Sequence, residues 1–202
     1  MTRLILVRHG VSLWNQRGRL QGQADSALAP EGERQARVLG RHFADLAVDR
    51  FEASDLTRAR RTAELMGRGT PVLDPLWREI DVGRWRGKAV ADLLARRQEA
   101  YLAWRGGRHT PPGGEPWEAF RDRVAGALAA VARVPGTALV VTHGGVIRAA
   151  LALTVGLAPD ELAPSRHASY TILELGSSPR LVAHDVVPGE MSAGDARRGC
   201  RR

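Results

Sequence analysis

Residues 3–10 read Arg-Leu-Ile-Leu-Val-Arg-His-Gly, a short apolar run that stops abruptly at His9 and Gly10. Residues 137–145 repeat this pattern as Thr-Ala-Leu-Val-Val-Thr-His-Gly-Gly, with His143 in the corresponding place. Short apolar runs of this kind indicate buried strands that lead into loops. Because ligands of open α/β sheets bind at the carboxyl ends of the strands, we expect both histidines to reach one crevice.

Strand-like and helix-like segments alternate along most of the chain. This alternation predicts an α/β fold, a three-layer sandwich in which helices flank a mainly parallel central sheet. We expect one domain over residues 1–187, with 84–114 as a lid or subdomain and 188–202 as a flexible basic tail. The predicted strands are 3–7, 51–54, 71–74, 137–141 and a hairpin of 169–175 with 180–187. The predicted helices are Pro30 to Leu46, Thr57 to Met66, 88–104, Trp117 to Val131 and 146–155.

The composition excludes several classes of protein. The chain has 202 residues, of which 44% are hydrophobic and 26% charged, which argues against global disorder. No apolar run approaches the ~18 residues that span a bilayer, so we expect no membrane partner. The single cysteine, Cys200, excludes an internal disulfide framework and a cysteine-based zinc site. A reducing, cytoplasmic location is therefore expected.

Arginine dominates the charge of the chain. The formal net charge is +8 and the sequence pI is about 11.1, although Lys88 is the one lysine. Guanidinium groups suit phosphate and carboxylate, so an anionic partner is one interpretation, and compositional bias is the other. No basic stripe interleaved with aromatic residues occurs, which disfavours a nucleic acid. We expect a small anion as partner and leave a homodimer open.

Four motifs follow one another in the first three quarters of the chain. They are Arg-His-Gly at 8–10, Ser-Asp-Leu-Thr-Arg-Ala-Arg-Arg-Thr-Ala at 54–63, Leu-Trp-Arg-Glu-Ile-Asp-Val-Gly-Arg-Trp-Arg-Gly at 76–87, and Val-Thr-His-Gly-Gly at 141–145. In this order they resemble the histidine phosphatase superfamily, which includes the cofactor-dependent phosphoglycerate mutases. The resemblance covers most of residues 3–155 and implies the phosphoglycerate mutase-like fold.

The resemblance also implies a set of site residues. His9 would attack phosphorus and form a phosphohistidine, and Glu79 would protonate the leaving oxygen and then activate water. His143, if protonated, would complete the catalytic set as a third cationic donor to the phosphoryl group. The phosphate-binding or substrate-binding residues that it implies are Arg8, Asn15, Gln21, Gly22, Arg58 and Gly144. No metal and no organic cofactor is expected.

Some neighbouring residues need separate interpretations. Asp81 is the competing candidate for the acid, but Glu79 has the spacing to Gly83 that the family pattern requires. Glu115 either binds substrate or caps the helix that follows it. We expect Arg60, Arg61 and Arg148 on solvated helix faces, and we assign no role to His42, His109, His167 and His184.

The resemblance favours the phosphatase branch. A metal-independent phosphomonoesterase that acts on a small phosphorylated metabolite is the first hypothesis. A cofactor-dependent phosphoglycerate mutase is the alternative, although mutase relatives carry a longer insertion after the acid, with paired arginines and a lysine. Here residues 88–114 keep Arg96, Arg97 and Arg105. A non-catalytic phosphate-binding module of the same fold is a further alternative.

Overall fold

A six-stranded sheet lies at the centre of the chain. The computed structural model describes residues 1–189, and within them the strand order is β3-β2-β4-β1-β5-β6. The strands are β1 (Thr2–Arg8), β2 (Arg50–Ala53), β3 (Val72–Leu73), β4 (Gly136–Thr142), β5 (Tyr170–Leu175) and β6 (Arg180–Val186).

The four strands from β3 to β1 run parallel to one another. β5 is antiparallel to β1, and β6 is antiparallel to β5. In the register of the parallel strands, Arg8 pairs with Thr142 and Ala53 pairs with Val141. The carboxyl ends of β1, β2 and β4 therefore lie level at one edge of the sheet. Because β5 runs the other way, the residues that precede Tyr170 reach the same edge.

Helices cover both faces of this sheet. Side chains alternate along β1, so that Leu4 and Leu6 join the core beneath α5 and α6, and Ile5 and Val7 join the core beneath α2 and α3. The predicted three-layer sandwich with a mainly parallel sheet is therefore confirmed. The helices are α1 (Leu13–Gln16), α2 (Pro30–His42), α3 (Thr57–Leu65), α4 (Val90–Arg105), α5 (Trp117–Ala132) and α6 (Gly144–Val155), with short 3-10 helices at Pro75–Trp77 and Gly83–Trp85.

The first long helix is shorter than the apolar spacing predicts. α2 ends at His42, and the chain then turns through a hydrogen bond from the Leu46 amide to the Phe43 carbonyl, at 3.0 Å. Leu46 still packs against the core that contains Leu39 and Phe43. The helical spacing continues across the turn because these side chains share one contact surface, although the backbone has left the helix.

Two other expectations concern the ends of elements. The predicted strand at 71–74 keeps only Val72–Leu73 in the ladder, at the sheet edge. The predicted tail at 188–202 falls outside the described residues from 190 onward. Among residues 1–189, no helix combines the length and the apolar character that crossing a bilayer requires.

A contact between two glycines fixes the loop after β1. Gly10 and Gly32 meet backbone to backbone, and a Cβ built at Gly32 would overlap the carbonyl oxygen of Val11. The first turn of α2 can therefore lie directly against the loop that carries His9. Backbone atoms, unlike the end of a flexible side chain, cannot move aside for an added methyl group.

We expect Gly32→Ala to lower the free energy of unfolding by about 1–3 kcal/mol through this overlap. The matched control is Gly126→Ala in α5, where a Cβ would meet no heavy atom within 4 Å. That change should raise stability by up to about 1 kcal/mol, because alanine is the better helix former. Urea unfolding of both variants measures the two changes. Equal effects of the two substitutions would contradict the role of the glycine contact.

Candidate active site

Three neighbouring strand ends bring polar side chains together. His9, His143 and Ser54 each follow directly after one of the parallel strands β1, β4 and β2. The rings of His9 and His143 are 5.2 Å apart between centroids, in an edge-to-face arrangement. The His143 Nε2 lies 2.9 Å from the Ser54 hydroxyl. The sheet register therefore produces the crevice that the two similar strand ends predict.

His9 is held in a single tautomer. Its Nδ1 lies 2.7 Å from the Gly10 carbonyl oxygen, which can only accept, so Nδ1 carries the ring proton. Its Nε2 lies 3.3 Å from the Arg58 Nε, which can only donate, so Nε2 keeps its lone pair. Burial lowers the pKa of His9 well below its usual 6.5, and the neighbouring Arg58 lowers it further. The buried ring is therefore neutral and keeps a lone pair on Nε2.

Arg58 is fixed from the opposite side by a loop. It lies in the first turn of α3 and is 1% exposed. Its guanidinium donates to the carbonyl oxygens of Gly22 at 2.7 Å and Ala24 at 2.8 Å. Burial lowers the pKa of Arg58 to about 10, so the group stays charged at neutral pH. The loop therefore holds a cation against the Nε2 of His9.

Arg8 is a second cation next to the same ring. Its two terminal nitrogens donate to the carbonyl oxygen of Ser165 and to the Nε2 of His167, the latter at 2.9 Å. Its Nε is buried and has no hydrogen-bond partner within residues 1–189. Burial lowers the pKa of Arg8 to about 10. One N–H of this charged group is therefore left for a ligand oxygen.

His143 has a donor without a partner. The Leu56 amide donates to the Ser54 hydroxyl at 3.3 Å, so that hydroxyl can give its own proton to the Nε2 of His143. The ring proton then sits on Nδ1, which is buried and has no partner among the described residues. Burial lowers the pKa of His143 well below 6.5, so the expected third cation is wrong and the ring is a neutral donor. An oxygen acceptor beside His9 would satisfy this N–H.

Glu79 approaches the site from the loop between the two 3-10 helices. Its carboxylate oxygens accept from the backbone amides of Ile80 at 2.9 Å and Gly145 at 3.1 Å. A Cβ at Gly145 would overlap the Glu79 Oε1, so only glycine allows this approach. Asp81 is used elsewhere, because its carboxylate accepts from the Gly83 amide at 2.9 Å and from Arg86 at 3.0 Å. The geometry therefore places Glu79, rather than Asp81, beside the strand ends.

Arg123 positions the loop that carries Glu79, a role that the sequence does not reveal. It donates to the carbonyl oxygens of Leu76 and Arg78, each at 2.9 Å, and more weakly to that of Glu79 at 3.4 Å. Glu115 forms a largely buried ion pair with Arg123, at 2.8 Å. Neither interpretation of Glu115 describes this arrangement, because its carboxylate orients an arginine and also accepts from the Asp81 amide.

The side-chain amides of Asn15 and Gln21 belong to the same site. The Ser12 hydroxyl lies 2.9 Å from the Oδ1 of Asn15 and 3.0 Å from the Oε1 of Gln21. The Ser12 amide also donates to the Asn15 Oδ1, at 3.1 Å, as part of the capping box of α1. Because both side chains direct their oxygens to Ser12, their NH2 groups are the donors available to a ligand.

Most of these groups line a single cavity of about 140 Å³. Eight of the nine predicted site residues line it, and the ninth, His143, lies next to His9, with ring centroids 5.2 Å apart. Gly144 begins α6 there, and a Cβ on it would lie 3.6 Å from the Arg8 guanidinium carbon. A helix N-terminus with free amides favours an anion. Within residues 1–189, no group of three or more His, Cys, Asp or Glu side chains is arranged to hold a metal ion.

Two residues contradict the sequence-based expectations. Arg148 is 7% exposed and lines the cavity, so its expected place on a solvated helix face is wrong, whereas Arg60 and Arg61 are exposed as expected. His167, to which we assigned no role, accepts from Arg8, and its ring centroid is 5.8 Å from that of His9. Both residues act through contacts between distant segments. The one signal for Arg148 is its position one turn after the Gly144–Gly145 pair on an apolar helix.

Burial of neutral histidines makes stability depend on pH. Burial lowers the pKa of His167 to about 3, with Arg8 contributing, from the usual 6.5. Below about pH 6.5 the unfolded chain then binds the proton more readily than the folded chain, so stability is lost as the pH falls. Between about pH 7.5 and about pH 5 we expect this histidine to cost about 2 kcal/mol.

His167→Gln removes this titration and keeps an acceptor for Arg8. Urea unfolding in phosphate-free buffer should show that the variant loses about 2 kcal/mol less than the parent over that pH interval. His9 and His143 titrate in both proteins and therefore cancel in the difference. Identical pH dependence of parent and variant would refute the buried neutral state of His167.

Comparisons with known proteins assign the chain to a family. The family model described as the histidine phosphatase superfamily (branch 1) matches residues 4–184. The probable phosphoglycerate mutase GpmB of Erwinia tasmaniensis is 36% identical over 78% of this chain and 76% of its own length. The mycobacterial glucosyl-3-phosphoglycerate phosphatase, in a structure with VO3, superposes with a TM-score of 0.83 at 29% identity, over 91% of this chain and 98% of that chain.

A crystal structure of phosphoglycerate mutase from Thermus thermophilus is also similar, with a TM-score of 0.72 at 40% identity. It covers 90% of this chain and 97% of that chain. The family match and the identity to the curated relative agree with the four motifs and with the fold. The chain is a member of the histidine phosphatase superfamily, branch 1.

Proposed function

We propose that the chain is a metal-independent phosphomonoesterase that passes through a phosphohistidine on His9 and acts on a small phosphorylated metabolite. One observation carries the proposal: the lone pair of the His9 Nε2 is held beside two buried guanidinium groups, Arg8 and Arg58. A neutral nucleophile surrounded by fixed positive charge suits attack on a phosphate ester. Superfamily membership supports an enzyme of this general kind.

In the first step, the His9 Nε2 attacks phosphorus and the bond from phosphorus to the ester oxygen breaks. Arg8 and Arg58 stabilise the charge on the equatorial oxygens, and the Nδ1–H of His143 and the amide of Gly144 add neutral donors. The protonated carboxyl of Glu79 gives its proton to the leaving oxygen, so an alcohol departs and Glu79 becomes a carboxylate.

In the second step, water attacks the phosphorus of the phosphohistidine. The Glu79 carboxylate takes one proton from this water, and the bond from phosphorus to the His9 nitrogen breaks. Inorganic phosphate leaves, His9 recovers its lone pair, and Glu79 is again protonated. The two amides that hold the Glu79 carboxylate keep it in one place for both proton transfers.

The segment after the acid supports hydrolysis rather than mutase activity. Arg96 and Arg97 are the paired arginines of this segment. Both are exposed in a surface groove, and neither lines the cavity. The resemblance to mutases would require such a pair at the substrate. The TM-score to the mycobacterial phosphatase, 0.83, also exceeds the 0.72 found for the Thermus mutase, although the sequence identity is lower.

Phosphoglycerate mutase activity is the second candidate, because the similar Erwinia protein carries that name. Incubation with 3-phosphoglycerate and a bisphosphate primer distinguishes the two reactions. A phosphatase releases inorganic phosphate, whereas a mutase yields the 2-phosphate isomer faster than free phosphate. A non-catalytic phosphate binder would do neither, and such a module has no need of the Glu79 carboxyl.

His9→Asn should lower the turnover of p-nitrophenyl phosphate by at least about a thousandfold, because it removes the nucleophile and keeps a polar group in its place. Rapid acid-free quenching of the parent enzyme with substrate should give a protein heavier by one phosphoryl group, with the modification on His9. EDTA should leave the rate unchanged. An unmodified parent protein during turnover would overturn the phosphohistidine mechanism.

Glu79→Gln should affect esters according to their leaving groups. Hydrolysis of an alkyl phosphate should fall by about 10²- to 10⁴-fold, because an alkoxide needs a proton to leave. Nitrophenolate leaves without one, so p-nitrophenyl phosphate should still phosphorylate His9 and give a burst followed by slow dephosphorylation. Asp81→Asn is the matched control and should show no such dependence on the leaving group. An equal loss on both esters would contradict the role of Glu79 as the acid.

A further inference from the structure

The segment that holds Arg8 is itself held by one residue of β6. Arg166 lies between Ser165 and His167, the two residues that accept hydrogen bonds from the Arg8 guanidinium. The backbone amide of Arg166 donates to one carboxylate oxygen of Asp185 at 2.6 Å, and its Nε donates to the other at 2.9 Å. Its Nη2 donates to the Asp185 carbonyl oxygen at 2.6 Å. Three hydrogen bonds to a single residue therefore fix the middle of this segment.

A bulge in β6 brings Asp185 to this position. Between the pair of Tyr170 with Val186 and the pair of Ile172 with Ala183, β6 contains one residue more than β5. Asp185 lies in this bulge and adopts a left-handed backbone conformation, with a φ of 53°. Because a bulge bends its strand and redirects a side chain, the carboxylate leaves the regular alternation of the ladder. It faces the segment before β5 instead.

A second residue with left-handed backbone lies at the other end of the contact. Ala168 has a φ of 55° and is buried. Its amide lies 3.1 Å from the Arg8 carbonyl oxygen and 3.3 Å from that of His9. Among residues 1–189, Ala168 and Asp185 are the two residues other than glycine with a positive φ. Such conformations persist only where surrounding contacts hold them, and they occur preferentially at functional sites.

The backbone of Arg8 is tied to the same segment. The Arg8 amide donates to the Ser169 carbonyl oxygen at 2.9 Å, and the Ser169 hydroxyl donates to the Arg166 carbonyl oxygen at 2.7 Å. Burial lowers the pKa of Arg8 to about 10, while the carboxylates of Glu79 and Asp185 raise it. Asp185 is therefore linked to Arg8 by a continuous chain of hydrogen bonds and also by its charge.

The orientation of Arg8 determines where its unpaired N–H points. A guanidinium is planar, so bonds from both terminal nitrogens to Ser165 and His167 also fix the direction of the Nε–H. A displacement of about 1 Å in a group that positions a substrate can cost about 10²-fold in rate. Neither Arg166 nor Asp185 lines the cavity. A group inside the site is thus aligned by contacts that lie outside it.

We propose that Asp185 is a positioning residue for phosphoryl binding: together with Arg166 it fixes the segment before β5 and thereby the direction of the Arg8 guanidinium. This inference rests on the proposed function, in which Arg8 binds phosphoryl oxygens. The side chains of Arg166 and Asp185 are 50% and 25% exposed. Because exposed ion pairs contribute little to stability, loss of this pair should leave the fold intact and appear in ligand binding.

Orthovanadate is the probe, because it has the shape and charge of phosphate and its binding is measured by calorimetry without turnover. Asp185→Asn removes the charge and keeps a residue that tolerates a positive φ. We expect the dissociation constant of orthovanadate to rise about 5- to 20-fold, and kcat/KM for p-nitrophenyl phosphate to fall by a similar factor. Asp185→Gly should cause the same losses, although glycine suits the backbone better, because both changes remove the carboxylate.

The matched control is Glu174→Gln. It breaks the 2.7 Å ion pair between Glu174 and Arg180 in the same hairpin, near the turn between β5 and β6. Both measured quantities should stay unchanged in this variant. In protein labelled with 15N, the Nε–H signal of Arg8, assigned by its loss in Arg8→Lys, should shift in Asp185→Asn and keep its position in Glu174→Gln.

A double-mutant cycle tests whether Asp185 acts through Arg8. Arg8→Lys keeps the charge but lacks the planar group that Ser165 and His167 hold. Adding Asp185→Asn to Arg8→Lys should therefore change the dissociation constant by less than about twofold. Equal losses in the two backgrounds, or unchanged orthovanadate binding in Asp185→Asn, would overturn the positioning role.

The binding measurement also separates this inference from the proposed activity. If the parent hydrolyses no ester but Asp185→Asn weakens orthovanadate binding only when Arg8 is present, the activity is wrong and the positioning role stands. If esters are hydrolysed through His9 while Asp185→Asn binds orthovanadate as the parent does, the positioning role is wrong and the activity stands.

Discussion

The in-register parallel pairing of β1 with β4 is the constraint on which the site depends. It continues one step beyond the strands, because the His9 amide donates to the Thr142 carbonyl oxygen at 2.9 Å. His9 and His143 therefore lie side by side without any contribution from their own side chains. Helix α6 begins directly after His143, so the same pairing also aims a helix N-terminus at the ligand. The sheet provides the geometry, and Arg8 at the end of β1 and Arg58 in α3 provide the positive charge.

The interior of the site contains buried hydrogen-bond donors that have no acceptor in the described part of the chain. The Nε of Arg8, the Nδ1 of His143 and the Nε of Arg148 are buried donors without partners in residues 1–189. Most buried polar groups in folded proteins are paired, so these three unpaired donors lower the free energy of unfolding. An anion that enters the site would accept hydrogen bonds from these donors, which are already in place and need no rearrangement. The loss of folding free energy and the capacity to bind an anion thus have the same physical origin.

The alternation of strand-like and helix-like segments was sufficient to predict the fold class and the paired histidines, because both depend on patterns within short segments. The choice of Glu79 over Asp81 came from the resemblance to the family, and the structure places Glu79 in the cavity. Arg123, His167 and Arg148 could not be predicted in the same way, because their roles arise from contacts with segments tens of residues away. Leu46 shows a different limit of sequence patterns. Its helical spacing arises because it packs against the same core as the preceding helix, although the helix itself has already ended.

The antiparallel strand β5 has a consequence for when the site is complete. Ser165 and His167, which hold Arg8, stand just before β5, whereas Arg8 itself ends the first strand. His9 and the residues that orient its neighbouring cation are thus among the earliest and the latest parts of the domain to be synthesised. A nascent chain that already contains every motif of the family still lacks a fixed Arg8 until β5 docks beside β1. Completion of the site therefore coincides with closure of the sheet.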